Sequence, residues 1–435
     1  MPRHLFSPAV LLLVLMCCGS SGAAAANQEV VINPFEGTAE VPGAAWEGVG
    51  DAAQRVTSLR VPSLVAVGKD VFAVAEAQCA RQEDEEAGCF VGIASRHLKN
   101  VAGAAATELS AADATSFAAR LLKKDGTDGA EAEEIMRPAT LVRGNEVYVL
   151  LGKYSRAESG TKGGAAKHGG LLLVKGTVAG ADDAEKKIVW GETRAVDAAS
   201  MGLHDSFTEL SGGGGSGAVL EDGTLVFPMQ ATDKGGKSVL LVMRMEPSKK
   251  KWTLSRETTG AGCKDPSIAR WGEDKLLAMA HCAGGYYDVY KSSAAGTAWF
   301  GGAPISRVWG NSLRRQGGHG VQSGLTTASI EDTEVVLLTT PVYSEEGDAA
   351  KGQLHLWLTD GARVHDVGPV SDAAHDAATS SLLYKSDGAQ EELLLLYEKK
   401  GAESSYSLVA ASLTDRLPEI KKSGERLEGT GHGPG

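Results

Sequence analysis

The sequence predicts an all-β protein, and within that class a six-bladed β-propeller. Glycine is abundant at 55 of 435 residues, aromatic residues make up only 6%, and proline contributes 14 residues. This composition is typical of many short strands joined by tight turns and disfavours long helices. With 43% hydrophobic and 23% charged residues, the chain can bury a large core, so disorder is excluded as its main state.

One local pattern recurs six times and predicts the blade count. Each copy is a short apolar strand, a turn of Gly, Asp, Asn or charged residues, and a second strand rich in Val and Leu. The copies are 63–75, 139–151, 218–227, 267–279, 328–338 and 381–396. Their starts lie roughly 50 to 80 residues apart, which is the spacing of whole four-stranded sheets. The second strands are apolar without alternation, as expected for strands buried on both faces. A pair of β-sandwiches is the alternative all-β layout.

Two further segments have a structural interpretation. Residues 103–136, rich in Ala, Glu and Asp, are expected to form a helical or disordered surface excursion between strands. The glycine run 212–217 lacks the ending of a phosphate-binding loop and leads into a strand, so it predicts close backbone packing at the start of that strand.

The charge of the chain argues against nucleic acid as a partner. Lys plus Arg total 43 against 55 for Asp plus Glu, which gives a formal net charge of −12. Such a chain lacks the electrostatic footprint that draws proteins to phosphate backbones or anionic lipid. No cofactor is predicted.

The N-terminus has the three-part layout of a secretory signal. A basic start, the apolar run 9–16 and a small-residue stretch precede Asn27, before which cleavage is expected. Nothing after the signal is long and apolar enough to span a membrane, so we expect a secreted or cell-surface protein. The expected parts are a signal peptide over 1–26, the propeller over 27–415 and a flexible C-terminal tail over 416–435.

Removal of the signal leaves four cysteines, an even number that favours two disulfides in an oxidising compartment. Three pairings are possible, and spacing prefers Cys79–Cys89 together with Cys263–Cys282, since each closes a local loop. The alternative is a zinc site, but the chain has no CxxC pair and no His at ligand spacing from two cysteines. We therefore predict no metal site.

Four segments in order carry a family resemblance: RVPSLV at 60–65, SRVWG at 306–310, LWLTD at 356–360 and ATSSLLY at 378–384. Together they resemble the trypanosome trans-sialidase superfamily, over residues from about 45 to 415. The resemblance implies the sialidase fold, a six-bladed propeller, in agreement with the blade count. In the family a lectin-like β-sandwich domain usually follows the propeller, and this chain is expected to lack it. Degenerate copies of the family's Asp-box hairpin are found at 248–252 and 292–299, with an expected structural role.

The resemblance also implies an axial site, but most of its cationic groups are replaced. Family sialidases clamp the substrate carboxylate with three arginines, because a guanidinium fork matches both oxygens. Arg60 matches the first clamp position, whereas His281 and Lys351 stand at the second and third. Gln78 replaces a further substrate-facing arginine, and Arg137 occupies a position that is normally Asp.

The catalytic groups implied by the resemblance are also incomplete. Thr379 stands where the nucleophilic tyrosine belongs, and Glu398 matches the glutamate that activates it. Asp84 aligns with the acid/base aspartate, and Asp265 replaces a glutamate with a shorter carboxylate. Loss of two charge-assisted arginine contacts removes about 3–6 kcal/mol of substrate binding. Catalysis is therefore not expected. Structural alternatives exist, since Arg60 could ion-pair with a nearby acid and Asp84 belongs to a solvated acidic run.

The predicted function is that of an enzymatically inactive member, secreted or at the surface, which the resemblance links to adhesion to host cells or matrix and to invasion. Its implied partner is a host cell-surface or extracellular-matrix protein or glycan. The competing hypothesis is an exo-α-sialidase or trans-sialidase, favoured by the fold and by Arg60, Asp84 and Glu398 but opposed by the substitutions. A third hypothesis is a structural coat component.

Overall fold

β-Strands account for nearly all regular structure in this computed structural model, as the composition predicts. The structure describes residues 32–49, 56–79, 91–99, 101, 105–124, 130–133, 135–155, 167–181, 186–202, 206–301, 308–310, 320–330, 333–343, 351–388, 390–402 and 405–429. The chain divides into two compact units, Met1–Ile32 and Asn33–Gly435, and every described strand lies in the second. The predicted signal peptide, 1–26, lies outside the described residues.

Six antiparallel meanders follow one another along the second unit, and we number them blades 1 to 6. Their strands, from first to fourth, are Val56–Val67, Asp70–Cys79, Val91–His97 and Ala118–Lys124 in blade 1; Ile135–Arg143, Glu146–Ser155, Lys167–Ala179 and Lys187–Val196 in blade 2; Ala218–Val219, Leu225–Asp233, Ser238–Met245 and Trp252–Leu254 in blade 3; Cys263–Trp271, Lys275–Cys282, Tyr287–Ser292 and Trp299–Gly301 in blade 4; Gly324–Ile330, Thr333–Tyr343, Gly352–Thr359 and Val364–Pro369 in blade 5; and Ala377–Ser386, Glu391–Lys400, Tyr406–Ser412 and Thr107–Leu109 in blade 6. Each recurring pattern of the sequence coincides with the first two strands of one blade. The predicted all-β propeller is confirmed.

The first strands of the blades surround a common axis. Each contacts the first strand of the next blade, from blade 1 round to blade 6, and the first strand of blade 6 contacts that of blade 1. The second strands pack between neighbouring blades, where residues such as Phe72, Val149 and Leu337 are fully buried. This double burial explains why these strands are apolar throughout and do not alternate.

Blade 6 takes its fourth strand from a distant part of the chain. Leu109 pairs with Leu408, and the neighbouring Glu108 accepts hydrogen bonds from Lys399 at 2.6 Å and from Ser407 at 2.6 Å. The expectation of a surface excursion over 103–136 is therefore wrong. The described parts of this stretch form outer strands and a 3₁₀-helix, because apolar residues spaced along them, among them Leu109 and Leu121, are buried against the sheets.

Short segments extend the sheets or connect them. The added strands are Ala39–Glu40, Ala45–Gly48, Ala130–Glu133, Phe207–Gly212 and Gly215–Ser216, and the short 3₁₀-helices are Ala111–Ser116, Ala198–Met201, Ala294–Gly296 and Thr414–Arg416. The tryptophans of the two degenerate Asp-box hairpins, Trp252 and Trp299, are both buried in outer strands. Within the glycine run, a side chain at Gly213 would meet Pro266 at 2.8 Å, which agrees with the close backbone packing predicted there.

An α-helix, Leu417–Gly429, lies where a flexible tail is expected. Leu417 and Ile420 are buried in the core of blades 5 and 6, and the Arg416 side chain donates to backbone carbonyls of blade 5. The expectation of a flexible tail over 416–435 is wrong for this stretch, because these two apolar residues anchor it to the propeller. In the part of the chain that is described, no helix is long and apolar enough to cross a membrane.

Candidate axial site

Three first strands contain a residue with left-handed backbone immediately before a proline. Val61, Arg137 and Asp265 have φ angles of 51°, 50° and 52°. Non-glycine residues rarely adopt this conformation, and such strain persists only where the surroundings hold it in place. At each position the strand pairing is also interrupted, as in a β-bulge.

A side chain from the second strand of the preceding blade accepts the backbone N–H of each strained residue. The pairs are Val61 N with Glu398 Oε1 at 2.8 Å, Arg137 N with Glu76 Oε2 at 2.6 Å, and Asp265 N with Gln230 Oε1 at 3.0 Å. We call Glu76, Gln230 and Glu398 the latch residues. They fix the three bulges at the joints between successive blades, because a buried N–H left without an acceptor is costly.

Glu398 also binds the one clamp arginine that the sequence retains. Its Oε1 atom lies 3.0 Å from Arg60 Nε, and the Arg60 guanidinium lies 3.9 Å from the centre of the Tyr406 ring. Full burial raises the pKa of Glu398, and the charge of Arg60, the Val61 N–H and the Thr379 hydroxyl offset this in part. Arg60 is thus ion-paired, as the structural alternative proposes. Among the described residues, none accepts a hydrogen bond from its terminal nitrogens.

Arg137 and His281 converge on Asp265. Arg137 donates from Nε to the Gly212 carbonyl at 3.2 Å and from Nη2 to the Gly213 carbonyl at 2.6 Å, and its Nη1 lies 2.6 Å from Asp265 Oδ1. The other carboxylate oxygen of Asp265 lies 2.8 Å from His281 Nε2. Burial alone raises the pKa of Asp265, but the charges of Arg137 and His281 outweigh it and hold that pKa well below its usual range.

The remaining predicted site residues differ in their surroundings. Thr379 is buried beside Glu398, and Gln78 donates to the latch residue Glu76. Lys351 is exposed, and its Nζ donates to the Ala374 carbonyl at 3.2 Å. Asp84 lies outside the described residues.

One of the two predicted disulfides is formed within the described residues. Cys263 and Cys282 are bonded, directly opposite each other on the first two strands of blade 4. The next paired residue along the second strand is His281, so the bond lies beside the Asp265–His281 contact. Asp288 approaches both sulfurs, but two sulfurs bonded to each other supply no thiolate for a metal. The predicted Cys79–Cys89 pair falls outside the described residues, since Cys89 and the Cys79 side chain are not among them.

Among the latch residues, only Glu398 was named from the sequence, and in another role, although a signal for all three exists. A proline followed by a small residue recurs at 62–63, 138–139 and 266–267, each in a first strand. Each latch residue is a Glu or Gln that directly follows five apolar or aromatic residues in a second strand, at 71–75, 225–229 and 393–397. A polar side chain at such a buried or half-buried position requires a hydrogen-bond partner, and this requirement would have predicted its role.

Among the described residues of the site there are two guanidinium groups. Arg60 is paired with Glu398, and Arg137 is paired with Asp265. The buried hydroxyl at position 379 belongs to a threonine, which has no acidic phenol. The arrangement is suited to holding blades together and, through Arg60, to hydrogen bonding with a ligand.

Comparison with known proteins agrees with this fold. The BNR repeat-like domain family matches residues 61–398. A sialidase of Trypanosoma cruzi is 32% identical over 296 residues, which cover 66% of this chain and 25% of that protein. Sialidase 85-1.1 of the same organism is 29% identical over 390 residues, covering 86% of this chain and 50% of that protein. The chain thus spans at most half the length of these relatives.

Solved sialidase structures share the architecture. Trypanosoma rangeli sialidase is 25% identical with a TM-score of 0.64, covering 89% of this chain and 62% of its own. The intramolecular trans-sialidase of Ruminococcus gnavus shares the fold at 14% identity and a TM-score of 0.54, covering 85% of this chain and 97% of its own. Fold and family match together define a sialidase-fold protein of the BNR repeat-like class. The chain belongs to the trypanosome trans-sialidase superfamily.

Proposed function

We propose that this chain is a catalytically inactive member of its family that binds a host cell-surface or extracellular-matrix protein or glycan, and so acts in adhesion. The observation that carries the proposal is the pairing of Asp265 with both Arg137 and His281. Groups at positions that face substrate in the family are here bound to one another. They are therefore not available to stabilise charge on a reacting sugar.

Position 379 supports the same conclusion. A covalent sialidase route needs a nucleophile that a neighbouring base can activate, and a threonine hydroxyl is far less acidic than a phenol. The Glu398 oxygen nearest to Arg60 already accepts two hydrogen bonds, from Arg60 and from Val61. With two of the three clamp arginines also replaced, binding of a sialoside carboxylate is expected to weaken by about 3–6 kcal/mol, or 10²- to 10⁴-fold.

Export to the exterior is the second part of the proposal. The N-terminal layout over 1–26 is that of a secretory signal, and the Cys263–Cys282 disulfide suits an oxidising compartment. The mature chain would then meet host molecules directly. Binding through rim loops of a rigid propeller is a common arrangement for such contacts.

The test is an activity assay paired with a binding assay on residues 27–435. The protein is incubated with a fluorogenic sialoside, with and without lactose as acceptor, beside Trypanosoma rangeli sialidase as the active control. We expect no turnover above the blank, together with saturable binding to some member of a glycan and matrix-protein array. Turnover well above the blank would establish the alternative, an exo-α-sialidase or trans-sialidase. Neither turnover nor saturable binding would instead favour the structural coat component.

A further inference from the structure

The Arg137 side chain is held in a cradle made only of hydrogen-bond acceptors. Each of its three guanidinium nitrogens meets a different oxygen: the Gly212 carbonyl at 3.2 Å, the Gly213 carbonyl at 2.6 Å and Asp265 Oδ1 at 2.6 Å. Gly212 and Gly213 are attached to blade 3, and Asp265 lies in blade 4. One blade 2 side chain therefore joins three consecutive blades.

The cradle is positioned by contacts that do not involve Arg137. Gly213 has no space for a side chain, since a Cβ atom there would lie 2.8 Å from Pro266 and 2.9 Å from Pro228, and its N–H donates to the Pro228 carbonyl at 2.8 Å. Asp265 is held by His281 through Oδ2 and by Gln230 through its backbone N–H. Gly213 and Asp265 are thus held in place by contacts other than those with Arg137.

The chemistry of the cradle selects a planar cation. Two carbonyls and a carboxylate supply no donor, and they lie in the fork geometry that suits a guanidinium better than a compact ammonium. With Arg137 in place the Asp265 carboxyl is ionised, because burial raises its pKa but the charges of Arg137 and His281 outweigh burial and lower that pKa below its usual range. The Arg137 side chain is only 20% exposed, so its contacts are largely shielded from water.

We propose that the acceptors of Gly212, Gly213 and Asp265 form a guanidinium-binding site, which Arg137 of the same chain occupies and thereby clamps blades 2, 3 and 4 together. The proposal does not depend on the proposed adhesion function, because it is argued from the contacts of the Arg137 side chain alone. Removal of the Arg137 side chain should leave an empty cradle that accepts a free guanidinium compound.

Chemical rescue tests the proposal on the mature chain. Arg137→Ala is expected to lower the urea midpoint of unfolding, and millimolar methylguanidinium is expected to raise it again in a saturable way while leaving wild type unchanged. Methylammonium at equal ionic strength is expected to have no such effect. Adding Asp265→Asn to the Arg137→Ala protein is expected to abolish the rescue.

A matched control is Arg194→Ala. Arg194 ion-pairs with Glu40 and Glu192 at the surface, without backbone carbonyls, so its variant should show no saturable rescue. If Arg137→Ala does not accumulate in folded form, its refolding yield in methylguanidinium is compared with that in methylammonium. A higher yield only in methylguanidinium supports the proposal. Equal yields, or equal midpoints in the two salts, would overturn it.

Discussion

Replacing Glu398 by alanine should destabilise the propeller more than its single position suggests. The carboxylate is fully buried, and one oxygen accepts both Arg60 Nε at 3.0 Å and the Val61 N–H at 2.8 Å. Leaving that N–H without an acceptor costs about 1–3 kcal/mol, at a residue whose backbone is already strained. Arg60 is 35% exposed, so water screens much of the lost ion pair and it adds only about 0–1 kcal/mol. We expect a total loss of about 3 kcal/mol once the cavity left behind is included.

Glu398→Gln is the matched variant, because it keeps the acceptor and removes the charge. Gln230 already performs the equivalent role for Asp265 in blade 4, which shows that an amide oxygen suffices there. We therefore expect a loss of only about 1 kcal/mol. Urea unfolding followed by tryptophan fluorescence measures both variants against wild type, with the slope of the transition checked for constancy. Equal losses for the two variants, or an alanine loss below about 1 kcal/mol, would refute the latch argument.

Three further predictions concern the axial site and its support. Asp265→Asn should flatten the acid limb of stability, because a depressed folded pKa stabilises wild type above the ordinary aspartate pKa and this contribution is lost as pH falls below it. The difference in urea midpoint between wild type and variant should stay constant from pH 7 to about pH 5 and narrow below about pH 4, and a constant difference down to about pH 2 would contradict the pairing. Thr379→Tyr should not produce sialidase activity in the fluorogenic assay, since the clamp arginines are still missing; measurable turnover would show that the clamp is dispensable. Cys263→Ala with Cys282→Ala should lose about 3 kcal/mol in urea unfolding, as expected for a short closed loop, and unchanged stability would mean that blade 4 holds this hairpin unaided.

Turns and strands could be predicted from the sequence, whereas pairings between strands far apart in the sequence could not. The turn at Gly68–Lys69 is determined by the residues next to it. The apolar strand that follows predicts a strand that is buried on both faces. Thr107–Leu109 is only three residues long, and its partners in blade 6 lie at 408–410. No local pattern specifies such a pair. The C-terminal helix was missed because, among its side chains that the structure describes, the only buried apolar ones are Leu417 and Ile420.

At the axial site, several of the named residues lie close together, but their contacts were not predicted. His281 and Thr379 were recognised as replacements, and the structure places them beside Asp265 and Glu398. Glu398 was assigned to activate a nucleophile, yet the structure shows it binding Arg60 and a backbone N–H. Its partner lies 338 positions away in sequence, so the contact follows from ring closure and not from any neighbouring residue.

The seam of blade 6 has a consequence for synthesis. This seam is the pairing of strand Thr107–Leu109 with strand Tyr406–Ser412. Glu108 and Ser407 are hydrogen-bonded across it and are 299 positions apart, so the first strand is synthesised long before the second leaves the ribosome. Until then the backbone groups of the earlier strand lack their partner strand, and they can pair with a second nascent chain. Such distant closure slows folding. A chain terminated before residue 406 would keep that vulnerability permanently.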